Sequence, residues 1–169
     1  MPTIGVAVSI PEPWATQLQE YRTDLGDATA TMIPTHVTLV PPTEVADEDL
    51  GAVVDHLAAA ARRGSGFSVL LRGTGTFRPV SPVVFVTVAE GIGGFEHLQD
   101  EVRSGPLAVE LQYPYHPHVT VAHQLDDPLL DRAFEELARF ECRFEVSGFH
   151  LYVHDPVAGW QVVRTFDLG

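Results

Sequence analysis

Residues 35–40 read THVTLV and residues 117–123 read PHVTVAH. Each stretch sets a histidine and a threonine two positions apart inside an apolar, β-branched run. Proline bounds both: Pro41-Pro42 follows the first and Pro117 opens the second. Short alternating runs with such ends are half-buried strands. Successive side chains of a strand point to opposite faces, so His36 and Thr38 share one face, as do His118 and Thr120. The valines between them, with Leu39 and Val121, turn to a core. Along each strand an imidazole and a hydroxyl then stand roughly 6.5 to 7 Å apart.

Working outward, residues 4–10 (IGVAVSI) form a buried strand ended by Pro11 and Pro13. Trp14, Leu18, Tyr21 and Leu25 recur at helical spacing, and Gly26 closes that helix. The strand at Thr35 stops at Pro41-Pro42, and Asp47 caps a helix running to Arg62-Arg63-Gly64. Residues 67–77 and 82–89 read as a strand pair with Arg78-Pro79 in the connection. Phe95, Leu98 and Val102 mark a third helix, ended at Gly105-Pro106. Asp126 or Asp127 opens a fourth, carrying Leu130, Phe134, Leu137 and Phe140. Two closing strands, 143–154 and 160–166, are joined by a turn at residues 155–159. Strands and helices alternate, yet the hairpins are antiparallel, so the fold class is α+β. Strand, helix, His-Val-Thr strand, helix occurs once in full and again in part, which hints at two related lobes within a single domain spanning residues 1–169.

The composition narrows the chemistry. The 169 residues carry ten basic side chains against 23 acidic ones, a net charge of −13, which disfavours long polyanions. All ten are arginine. Without lysine the chain has no P-loop lysine, no lysyl-nucleotide adduct and no Schiff base. Cys142 is the only cysteine, which excludes an internal disulfide. Next to Arg143 it reads as a buried thiol rather than a nucleophile. With no basic n-region or long apolar stretch near the start, the expectation is a cytoplasmic protein with no membrane association.

Two imidazoles and two hydroxyls suit displacement at phosphorus. One neutral ring accepts a proton from the attacking oxygen while the other, protonated, gives one to the leaving oxygen. The hydroxyls can hold the non-bridging oxygens, and the scheme requires no metal. One such triplet alone means little; two with the same middle valine in strand-like segments carry the argument.

These two motifs, 82 residues apart, resemble the paired histidine motifs of the 2H phosphoesterases, in particular the bacterial 2′-5′ RNA ligase and cyclic phosphodiesterase (LigT-like) group. Residues 117–122 (PHVTVA) are close to that group's second motif. Looser likeness covers the opening strand, residues 73–77 and residues 146–168. The resemblance implies a bilobal fold with antiparallel sheets and flanking helices around a central cleft. It implies His36 and His118 as the acid/base pair and Thr38 and Thr120 as phosphate ligands. It also implies hydrolysis or reversible transesterification of 2′,3′-cyclic phosphates or 2′-5′ linkages, without ATP or another cofactor. The partner would be a small cyclic nucleotide or a short RNA end, and no protein partner is implied. A nucleotide- or RNA-end-binding module on the same fold is the alternative, but binding alone does not need two imidazoles.

Members of the group often carry arginine or lysine just after the second motif, where this chain has His123, facing away from His118. Phosphate contacts would then come from elsewhere, with Arg78 as candidate. Phe77 and Tyr115 flank the motif segments and are candidates for stacking on a base. His116 shares the parity of His118, so a His36, His116, His118 metal site is a weaker third reading. His150 and His154 read as surface imidazoles, and His56 and His97 as solvated helix residues.

Overall fold

The computed structural model describes residues 1–169. The first half runs β1 (Thr3–Ser9), α1 (Trp14–Leu25), β2 (His36–Glu44), α2 (Leu50–Arg63) and β3 (Phe67–Thr76). The second runs β4 (Val83–Glu90), α3 (Ile92–Val102), β5 (His118–His123), α4 (Asp127–Glu136), β6 (Glu141–Val146), β7 (Gly148–Asp155) and β8 (Gly159–Asp167). The strands form one sheet in the order β6-β3-β4-β5-β2-β1-β7-β8. Every neighbouring pair is antiparallel.

The two motif strands are the central pair of this sheet. They are joined through a single registered pair, Val37 opposite Val119. On either side the chain repeats one unit: β1-α1-β2-α2 in one lobe, β4-α3-β5-α4 in the other. β1 lies beside β2, and β4 beside β5. The lobes are locked crosswise. Helix α1 packs on β5 and α3 packs on β2, so each lobe's helix covers the other lobe's motif strand. Leu18, Val37, Phe95, Val119 and Leu130 belong to one continuous core cluster. Each such side chain contributes on the order of 1.5 to 3 kcal/mol through burial. No helix is long and apolar enough to cross a membrane.

The α+β class and the paired lobes match the sequence reading; several element limits differ. The closing strand expected over 143–154 is two strands in opposite halves of the sheet: β6 pairs with β3, and β7 with β1. The chain changes lobes at Ser147-Gly148, where a Cβ on Gly148 would lie 2.6 Å from the Phe166 carbonyl oxygen. β2 continues through Pro41-Pro42 to Glu44. Beyond the motif it pairs only with β1, and through an irregular register, so prolines without an N–H are tolerated there. Asp47 does not cap α2. It opens a short 3₁₀ turn, and the α-helix begins at Leu50. α4 stops at Glu136, leaving Leu137 and Phe140 outside the helix, and Phe134 is exposed. Gly26 does end α1, in the left-handed conformation with φ 102°.

Candidate active site

Extending the Val37–Val119 register by one residue each way sets His36 opposite Thr120 and Thr38 opposite His118. The two imidazoles and two hydroxyls thus alternate around one small square, with the histidines on a diagonal. All four side chains are half-buried, while Val37, Leu39, Val119 and Val121 are fully buried.

Both rings are oriented in the same way. His36 Nδ1 lies 2.7 Å from the Pro34 carbonyl oxygen, and His118 Nδ1 lies 2.6 Å from that of His116. A carbonyl can only accept, so each Nδ1 carries the proton and each Nε2 is left as the titrating atom. His36 Nε2 is 3.1 Å from Thr38 Oγ1. Burial pushes both pKa values below the ordinary 6.5. The carbonyl contacts oppose that shift in each case. Arg22 adds to it at His36, and His116 and His36 add to it at His118.

Arg22 is a buried cation on α1, only 4% exposed. Its guanidinium donates to the Ile33 carbonyl at 2.9 Å and to Thr35 Oγ1 at 3.2 Å, and lies 3.4 Å from Asp27. It therefore straps down the segment whose Pro34 carbonyl holds His36. Burial alone would raise the Asp27 carboxyl; hydrogen bonds from Thr29, with Arg22 and His123 nearby, keep it below its usual range. His123 does not follow the parity of a regular strand: the register shifts between Phe85–Thr120 and Val84–Ala122 and sets His123 opposite Val83, and its buried Nδ1 has no hydrogen-bond partner. Helical periodicity marks neither Arg22 nor its role, since Arg22 sits one residue from Tyr21 on a mostly polar helix.

On the His118 side a cavity of about 670 Å³ opens beside Thr38 and His118. Phe77 and Tyr115 both line it, with Val80 and the 110–116 segment. The Phe77 ring meets His118 edge-on at 5.0 Å and tilts against Phe85 at 4.6 Å. Phe85 also packs against His118, at 5.2 Å. Sequence reading missed Phe85, which looks like any other residue of a core strand until the register sets it opposite Thr120. The Tyr115 hydroxyl donates to the Thr38 carbonyl at 2.7 Å, so this ring is tied to β2, and burial pushes its pKa up.

Arg78 is placed otherwise than the sequence reading supposed. Its guanidinium is held by Asp131 at 2.8 Å, Asp127 at 3.6 Å and Thr76 Oγ1 at 3.2 Å, and it does not line the cavity. No group of three or more His, Cys, Asp or Glu has metal-holding geometry, and that includes His36, His116 and His118. Cys142 is buried and its thiol is pushed up to about 11. His56 is not simply solvated: its Nε2 meets the Val102 carbonyl at 2.8 Å. Nor is His150 a free surface imidazole, because both its ring nitrogens are engaged.

Residues 10–158 match the family model of the 2′-5′ RNA ligase superfamily. A Bacillus cytotoxicus protein named "putative phosphoesterase" is 30% identical over 140 residues, covering 82% of this chain and 81% of that one. The structure superposes on Escherichia coli LigT complexed with 3′-AMP with a TM-score of 0.69 at 21% identity, covering 99% of both chains. A Thermus thermophilus protein gives 0.67 at 25% identity, covering 98% of this chain and 97% of that one. Two His-Val-Thr strands meeting at the centre of an antiparallel sheet, together with these matches, place the chain in a family: it belongs to the 2′-5′ RNA ligase superfamily of 2H phosphoesterases.

Proposed function

We propose that this protein is a phosphodiesterase that hydrolyses, or reversibly transesterifies, 2′,3′-cyclic phosphates or 2′-5′ linkages of nucleotides and short RNA ends. The register at Val37–Val119 supports this reading, because it brings His36, Thr38, His118 and Thr120 together on one face of the sheet. A phosphorus seated there has an imidazole on each side. One neutral Nε2 takes the proton of the attacking water as its oxygen bonds to phosphorus. The other, protonated, gives its proton to the ribose oxygen as that bond breaks. Thr38 and Thr120 donate to the non-bridging oxygens. Replacing water by a ribose hydroxyl runs the same transfers toward a 2′-5′ link and calls for neither ATP nor metal. The Phe77 and Tyr115 walls offer faces for a base.

The test is turnover of the four nucleoside 2′,3′-cyclic monophosphates and a 2′-5′-linked dinucleotide in EDTA, with His36→Ala and His118→Ala alongside. Turnover by wild type, reduced roughly 10²- to 10⁴-fold in each variant, is the expected result. Tight binding with no turnover of any of them would make the protein a binding module. Loss of all wild-type activity in EDTA, restored by a divalent cation, would overturn the metal-free scheme.

A further inference from the structure

The motif face does not end at β2. Cross-strand partners share a face, and Ser9 is opposite His36 while Ala7 is opposite Thr38. Ala7 in turn is opposite His150, and His150 is opposite Thr165. A row of side chains therefore runs from the histidine pair across β1 and β7 to β8. Within it Ser9 Oγ lies 3.0 Å from His150 Nε2, and Thr165 Oγ1 lies 2.9 Å from His150 Nδ1. Ser9 and Thr165 are exposed and His150 is half-buried.

The chemistry of this row follows from counting protons. Burial holds His150 below the ordinary imidazole pKa, so near neutral pH the ring has one N–H. One hydroxyl must accept that N–H and keeps its own O–H to give. The other must donate to the bare nitrogen and keeps lone pairs to accept with. The row thus shows a ligand one donor and one acceptor, with no charge. That suits vicinal hydroxyls of a sugar better than a phosphate.

Position adds the direction. Ser9 is one strand spacing from His36, about 4.8 Å, and His150 is two. Ala7 and Gly5, between β2 and β7, raise no long side chain in the way. Over Gly5 and Ala7, beside His36 and Thr38, Ile33, Tyr152 and Trp160 close the face down to a cavity of about 50 Å³, room for little more than a water or two. A base does not fit in that cavity, while the exposed Ser9 and Thr165 leave the row itself open to a ligand. The other lobe offers the opposite character, a large cavity walled by Phe77 and Tyr115.

We propose that Ser9, His150 and Thr165 form a sugar-binding subsite that seats the ribose on the far side of the phosphorus from the aromatic cavity, so that the substrate is a linear diester with a sugar on each side. This rests on the phosphodiesterase reading above. A mononucleoside cyclic phosphate reaches only the aromatic side and does not touch the row.

The test compares 2′-5′-linked diadenosine phosphate with adenosine 2′,3′-cyclic phosphate. Steady-state kinetics are run on wild type, Ser9→Ala and Thr165→Val. Binding is measured on the same set in a His118→Ala background, which keeps the ligands intact. Both substituted positions are exposed, and unchanged thermal melting shows that the fold is kept. The dinucleotide should lose about five- to tenfold in kcat/KM and in affinity, with the cyclic nucleotide unchanged. Equal weakening of both ligands, or of neither, overturns the subsite and leaves the phosphodiesterase reading standing. Failure of wild type to bind or turn over either ligand overturns both.

Discussion

His36 and His118 owe their chemistry to a main-chain contact two residues back. The Pro34 and His116 carbonyls fix the proton on Nδ1, and burial keeps Nε2 unprotonated to lower pH than in a free imidazole. A stability consequence follows. The folded pKa values lie below 6.5, so as pH falls through that value the unfolded chain takes up more protons than the folded one. The contribution is complete above pH 6.5 and is lost toward the folded values. Urea denaturation between pH 7.5 and 5 should show stability falling with acid, and His36→Asn/His118→Asn should flatten that slope; an unchanged slope would contradict it. Thr38→Val and Thr120→Val should each lower kcat by roughly 10²-fold with little change in melting temperature. The shared faces of these four residues were legible as strand parity. The ring tautomers were not, because they depend on how the chain bends at Pro34 and Pro117, and Ser9 and His150 carried no motif to set them apart.

Arg22 shows how an element acts on a residue it does not touch. Through Ile33 and Thr35, α1 fixes the strap that ends in His36. Arg22→Met leaves Asp27 buried without its cation and should cost about 3–5 kcal/mol in urea unfolding. Arg22→Met/Asp27→Leu should recover part of that stability but not kcat, because the strap stays untied. Recovery of both together would make Arg22 merely structural. Helices and strands were readable from period and punctuation, as at Gly26. The switch of lobes at Ser147-Gly148 was not: a Ser-Gly pair and a parity step from Val146 to Phe149 mark a break there, but nothing local says that the next strand pairs in the other lobe. The run through Pro41-Pro42 was hidden for a different reason: whether a proline ends a strand depends on which side of it pairs, and that is tertiary information.

Across the whole molecule two lobes meet at one residue pair and are held by helices packed crosswise, so the site lies on the joint between them. The chain carries a net charge of −13, and Arg78, the cation expected at the phosphate, is already paired with Asp127 and Asp131. Association with an anionic oligonucleotide is therefore opposed at long range. Raising ionic strength from about 20 to 200 mM should increase kcat/KM for a short RNA end by screening that repulsion. A steep fall with salt, as for a protein that neutralises phosphates with arginine, would contradict this expectation. The acidic balance was plain in the composition; that Arg78 is spent on α4 was visible only once the chain folded.

The central claim is that one histidine acts as base and the other as acid, and the pH dependence of kcat/KM tests it most directly. With both free-protein pKa values held below 6.5, wild type should give a bell centred on the acid side of 6.5. His36→Ala and His118→Ala should each abolish one limb, and not the same one. A bell that keeps both limbs in either variant, or a wild-type plateau reaching well above neutrality, would contradict the account.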